Sequence, residues 1–147
     1  MGMDTVEAGQ WPGRQPVPAQ EESWTLSYRP EAPAEARKLT KEALRRWQVP
    51  AVTADGVLLV VSELVTNAFE YARPPIVLHL GRDRSTGQVR VEVTDGGPAP
   101  AIGEWAASCG DCEHGRGLTI VDQVASAHGD HWETGRATHW AELAPAA

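Results

Sequence analysis

The stretch from Thr53 to Tyr71 constrains this chain more than any other part of it. Val57, Val60, Val61, Leu64, Val65 and Ala68 recur there at three- and four-residue steps, which predicts a helix with a broad apolar face. Thr53 is the expected N-cap, and Pro74-Pro75 end the helix, because proline lacks the N–H that another turn requires. A helix this apolar needs a partner layer to cover it.

The flanking segments supply that layer. Trp24 to Tyr28 alternates apolar and polar residues and reads as a first strand, ended by Pro30 and Pro33. Ala34 to Trp47 reads as a helix on the spacing of Ala36, Leu39, Ala43, Leu44 and Trp47, closed by Pro50. Ile76–Leu80 and Gln88–Thr94 flank the polar turn Asp83-Arg84-Ser85-Thr86-Gly87, as in an antiparallel hairpin. In its second strand Val89, Val91 and Val93 face one way while Arg90, Glu92 and Thr94 face the other. After Asp95 regular patterning stops for about twenty residues, a length that suits a functional lid or a disordered loop. Helical spacing returns at Leu118, Ile120, Val121, Val124 and Ala125, and strands near His131–Thr134 and Thr138–Leu143 turn on Gly135. The expectation is an α+β fold: a two-layer α/β sandwich whose mostly antiparallel mixed sheet carries three helices on one face.

Residues 1–22 mix Gly, Pro, Gln and Glu without a period, and Pro12, Pro16 and Pro18 break every helix, so a flexible tail is expected ahead of a single domain over 23–147. Twenty acidic residues against 13 basic ones leave a net charge of −7, with the arginines scattered. That argues against direct nucleic-acid binding, which needs a concentrated basic face. Cys109 and Cys112 are too few for a disulfide framework. The longest aliphatic run, Val57 to Val61, is far short of the roughly 20 residues that span a bilayer. No membrane association and a cytoplasmic location are therefore expected.

Three polar constellations interrupt this scaffold. Glu63 and Asn67 stand four residues apart on the central helix, so both side chains leave one face. Among Val60, Val61, Leu64 and Val65 such groups are costly to bury without partners. They form either a solvated stripe or a metal–nucleotide site, in which the amide oxygen ligates Mg²⁺ and the carboxylate orients or deprotonates an attacking hydroxyl. Asp95-Gly96-Gly97-Pro98 is either a plain turn or a carboxylate held to accept from an exocyclic amine, with Gly97 admitting a flat base. His114-Gly115-Arg116-Gly117-Leu118 is either a hinge or a set of backbone N–H groups offered to an anion at a helix N-terminus. It is neither a P-loop nor a dinucleotide fingerprint: the only lysines, Lys38 and Lys41, follow Arg and Thr, and the third glycine would fall at Ile120.

In this order, Glu63-Leu64-Val65-Thr66-Asn67-Ala68, Asp95-Gly96-Gly97 and Gly115-Arg116-Gly117-Leu118 resemble the N, G1 and G2 boxes of the GHKL ATPase superfamily. Within it, Val61-Ser62-Glu63-Leu64-Val65-Thr66-Asn67-Ala68 and the short domain look most like the anti-sigma-factor serine/threonine kinases, whose fold is the histidine kinase-like ATPase fold. The resemblance runs from about Trp24 to Leu143 and implies ATP and Mg²⁺ as cofactors. It implies that Asn67 coordinates the Mg²⁺ bridging the phosphates and that Glu63 is the general base or water-positioning group. It implies that Asp95 binds the adenine amino group, with Gly97 giving the base room. Gly115, Arg116, Gly117 and Leu118 would close over the phosphates, and Thr138 would support the adenine pocket through water. The implied partners are a sigma factor or similar client and an antagonist protein phosphorylated on serine; homodimers are common among such relatives.

Two positions depart from the pattern. Tyr71 stands where relatives commonly carry His, a difference expected to touch packing, and His114 stands where a further Gly is usual. Two rival functions remain in view: a nucleotide-dependent protein-binding module without phosphotransfer, and a metal or redox sensor. The sensor would use Cys109, Cys112 and His114, with His128 or His131 as a fourth zinc ligand.

Overall fold

The computed structural model describes residues 19–98 and 120–145. Strands β1 (Ala19–Leu26), β2 (Ile76–Asp83), β3 (Val89–Asp95), β4 (Ala127–Glu133) and β5 (Arg136–Leu143) form one sheet in the order β1-β2-β3-β5-β4. All four pairings are antiparallel. Helices α1 (Ala32–Arg46) and α2 (Ala51–Tyr71) pack against each other, and α2 lies on β2, β3 and β5. Residues 120–124 are also helical, within the third helix expected from the spacing at Leu118 to Ala125. The result is the two-layer α+β sandwich.

The core lies between the layers. Ile76, Leu78, Leu80, Val89, Val91 and Val93 present one face of the central hairpin to Val57, Val60, Val61 and Val65 of α2, and all are fully buried. Length and composition alone would let Ala51–Tyr71 cross a bilayer, at a mean hydropathy of 1.4. Here its apolar side is spent on the sheet and on Ala36, Ala43 and Leu44 of α1. The opposite face of the sheet is polar: Ser23 Oγ lies 2.6 Å from His79 Nδ1, and Arg90 pairs with Glu21 at 3.6 Å.

Several element boundaries differ from the expectation. The first strand spans Ala19–Leu26 rather than Trp24–Tyr28, so residues 19–22 belong to the sheet and not to the tail. Gln20 and Glu22 occupy its half-buried, helix-side positions, and those polar residues hid the alternation. Pro33 sits inside the first turn of α1, where a missing N–H costs no hydrogen bond. The N-cap of α2 is Pro50 and not Thr53, which is buried in the first turn. The basic residues are less scattered than they look along the chain, since helical periodicity gathers Arg37, Lys38, Lys41, Arg45 and Arg46 on the exposed side of α1.

Candidate functional site

The last turns of α2, the end of β3 and the hairpin β4–β5 enclose a cavity of about 230 Å³. From α2 it is lined by Leu64, Asn67 and Tyr71, and from the end of β3 by Asp95 and Pro98. The last hairpin contributes Asp130, Trp132 and His139. Asn67 and Asp95, 28 residues apart in the chain, thus open onto the same space.

Local chemistry holds the Asp95 corner rigid. The Gly97 N–H donates to Asp95 Oδ1 at 2.8 Å, and the carboxylate is buried. The Arg73 N–H donates to the Gly97 carbonyl at 2.8 Å, and the Gly96 N–H donates to the Arg73 carbonyl at 2.7 Å. These bonds clamp the strand end to the connection after α2. A Cβ on Gly96 would lie 2.3 Å from the Pro74 carbonyl oxygen, so only glycine fits there. Gly97 has φ +93°, a conformation that side chains other than hydrogen oppose. Tyr28 closes the C-terminal end of α2: its hydroxyl donates to the Ala72 carbonyl at 2.6 Å, and its ring packs on Phe69 with centroids 5.2 Å apart.

The strongest electrostatic feature is a histidine between two carboxylates. His139 Nδ1 lies 2.6 Å from Asp130 Oδ1, and its Nε2 lies 3.4 Å from Asp95 Oδ2. Burial disfavours the imidazolium, but the hydrogen bonds and charges of Asp130 and Asp95 outweigh it and raise the His139 pKa to about 9. At neutral pH the group is therefore a charged donor. The Trp132 ring meets it edge-on, with centroids 5.7 Å apart, and Trp132 is itself 60% exposed along the cavity wall.

The other expected site residues are distributed as follows. Glu63 is half-buried one turn before Asn67 on α2 and does not line the cavity. Thr138 lies on the opposite face of the sheet, its hydroxyl 3.3 Å from that of Thr94, because strand alternation turns His139 and not Thr138 toward the helices. Tyr71, expected to affect packing, lines the cavity. Gly115, Arg116, Gly117 and Leu118, together with Cys109, Cys112 and His114, lie outside the described residues. His128 faces Asp122 at 3.3 Å and His131 faces Glu133 at 3.1 Å. Among the described residues no group of three or more His, Cys, Asp or Glu is arranged to hold a metal ion.

Asp130, Trp132 and His139 were not foreseen. The signal was present in the register: His139 shares the inward parity of Ala137, Ala141 and Leu143, and Asp130 stands directly opposite it on β4. A histidine at an inward position among small apolar residues marks either a satisfied core group or a site, and only the cavity tells which.

The donor set fits a purine ring. A buried acceptor, Asp95 Oδ2, and an adjacent donor, His139 Nε2, face a small cavity with aromatic and aliphatic walls. The volume is below the roughly 300–1,000 Å³ of sites that swallow a whole drug-sized ligand, so a base fits inside and a sugar and phosphates extend beyond it.

Comparison with known proteins gives the same architecture. The profile of the histidine kinase-like ATPase domain matches residues 26–139. No curated protein matches the chain. The RsbU and RsbW domains of a Mycobacterium tuberculosis protein superpose with a TM-score of 0.66 at 20% identity, over 90% of this chain and 34% of that one. This chain therefore spans about a third of that protein's crystallised length. A chain of the SiaB–SiaC complex from Pseudomonas aeruginosa superposes with a TM-score of 0.52 at 16% identity, over 84% of this chain and 88% of that one. At these identities the likeness is one of fold.

Proposed function

This chain belongs to the histidine kinase-like ATPase family, a membership that implies ATP binding, and from that premise we propose that it is a regulatory protein serine/threonine kinase of the anti-sigma type. In this reading it binds a sigma factor or similar client and phosphorylates a serine of an antagonist protein. The observation that carries the reading is the convergence of Asn67 and Asp95 on one cavity.

Asp95 accepts from the exocyclic amine of the base, held in place by the Gly97 N–H and the Arg73 clamp. Asn67 lies between that corner and Glu63, which sits about 6 Å further back along the α2 axis at 1.5 Å rise per residue. Triphosphate extending from the cavity along α2 therefore meets the amide first and the carboxylate second. A magnesium ion there would be held mainly by phosphate oxygens and water, with the Asn67 amide oxygen as protein ligand, and would neutralise charge during transfer. Glu63 would orient the attacking serine hydroxyl or take its proton. The glycine-flanked Arg116 would close over the phosphates.

Calorimetry with ATP and Mg²⁺ tests the binding half, with an expected affinity in the micromolar range, about −8 kcal/mol. Asp95→Ala should weaken binding and relax base selectivity, and Asn67→Ala should weaken it and remove its metal dependence. Unchanged affinity in both variants refutes the site. Phosphoserine formation on a candidate antagonist, lost in Glu63→Ala, tests the transfer half. ATP binding with no transfer to any antagonist would identify a nucleotide-dependent docking module instead.

A further inference from the structure

Asp95 provides the base end of the cavity with an acceptor, and a donor supplied by a different hairpin, His139 Nε2, lies 3.4 Å from its Oδ2. The Nδ1 of His139 is committed to Asp130 at 2.6 Å, which fixes the ring and leaves Nε2 as the nitrogen turned toward Asp95. At 3.4 Å the Nε2–Oδ2 contact is an ion pair and only a stretched hydrogen bond, so the Nε2–H retains capacity for a second acceptor. A donor and an acceptor side by side, both lining one cavity, match a ligand edge that carries the reverse pair. In a 6-aminopurine the exocyclic amine donates and the adjacent ring nitrogen accepts. We propose that His139 reads the base: its Nε2–H donates to the ring nitrogen beside the exocyclic amine while Asp95 Oδ2 accepts from the amine itself. Asp130, which fixes the His139 ring through Nδ1, acts on the base through that ring and is a positioning residue.

This inference rests on the nucleotide reading above but adds a residue and a bond that the reading does not require. Asp95 is the deeper of the two groups, its side chain 2% exposed against 22% for His139. The amine is therefore assigned to the inner position and the ring nitrogen to the outer one. A 6-oxopurine presents the opposite pair and would have to shift in the cavity to satisfy both groups.

The test is calorimetry on the full chain with three ligands: ATP, the ATP analogue in which that ring nitrogen is replaced by C–H, and inosine triphosphate. Wild type should lose about tenfold or more in affinity for the C–H analogue, the cost of one hydrogen bond to a charged donor. His139→Phe keeps a ring of similar size without the donor. It should bind ATP as weakly as wild type binds the analogue, and should no longer distinguish ATP from the analogue. His139→Gln, which retains a donor, should recover part of the discrimination and guards against a folding defect in the first variant. Equal affinity of wild type for ATP and the analogue overturns the proposal, as does a full analogue penalty that persists in His139→Phe. Tighter binding of inosine triphosphate than of ATP overturns the assignment of the amine to Asp95. If wild type binds none of the three, the nucleotide reading itself falls; if it binds ATP and His139→Phe changes nothing, only the role of His139 does.

Discussion

Raising the pH should weaken this fold through His139. The pKa of the side chain is pushed from its ordinary 6.5 to about 9 in the folded protein, so the native state holds its proton more tightly than the unfolded chain does. Stability from this group is fully present below pH 6.5 and is lost as the pH climbs through 9. The full interval corresponds to roughly 3–4 kcal/mol at ~1.4 kcal/mol per pH unit. The carboxylate of Asp130, at 2.6 Å the closer of the two partners, is 41% exposed and partly screened by water, which brings the expected loss to about 2 kcal/mol. Urea unfolding at pH 6.0, 7.5 and 9.5 reads it directly, with His139→Gln as reference, since the cysteines and lysines titrate in both proteins and cancel in the difference. The two stability curves should converge by about 2 kcal/mol between the lowest and highest pH. Curves that stay parallel would refute the reasoning, because a histidine with no preference between its two states cannot couple folding to protons.

Gly96→Ala should destabilise the fold and the site together. Its Cβ would start 2.3 Å from the Pro74 oxygen, so the Arg73–Gly97 clamp must open, at a cost of about 2–4 kcal/mol in urea unfolding. Nucleotide affinity should fall with it, and a variant of wild-type stability would show that the clamp is soft. Tyr28→Phe removes the hydroxyl that caps the Ala72 carbonyl and should cost about 1 kcal/mol, read by the same assay. No loss would mean that solvent replaces the phenol there without penalty.

Much of this protein is written in local patterns. Periodicity over Val57–Ala68 sets α2 and its buried face, and the alternation of Val89, Val91 and Val93 sets the inner side of β3. Both signals are strong because every residue in them obeys one burial rule. Asn67 and Asp95 were legible as polar residues that break such patterns, and a break needs only the neighbouring residues to be seen. The edge strand was less legible. Its inward positions include Gln20 and Glu22, which an edge tolerates at half burial and a central strand would not.

What folding alone decided is which residues meet. Asp130, Trp132 and His139 carry no motif, and their placement depends on the register of β4 against β5 and of β5 against β3. A one-residue slip would turn Thr138 inward and His139 outward, because side chains alternate with a period of two. The backbone pairing that fixes this register is held by contacts far away in the chain, from Val89↔Leu143 to Asp95↔Ala137. Local sequence therefore determines the elements and the polar residues available on them. The charged histidine between two aspartates exists only once long-range packing has chosen the register, because the energy that selects it comes from burying whole faces and not from the three residues themselves.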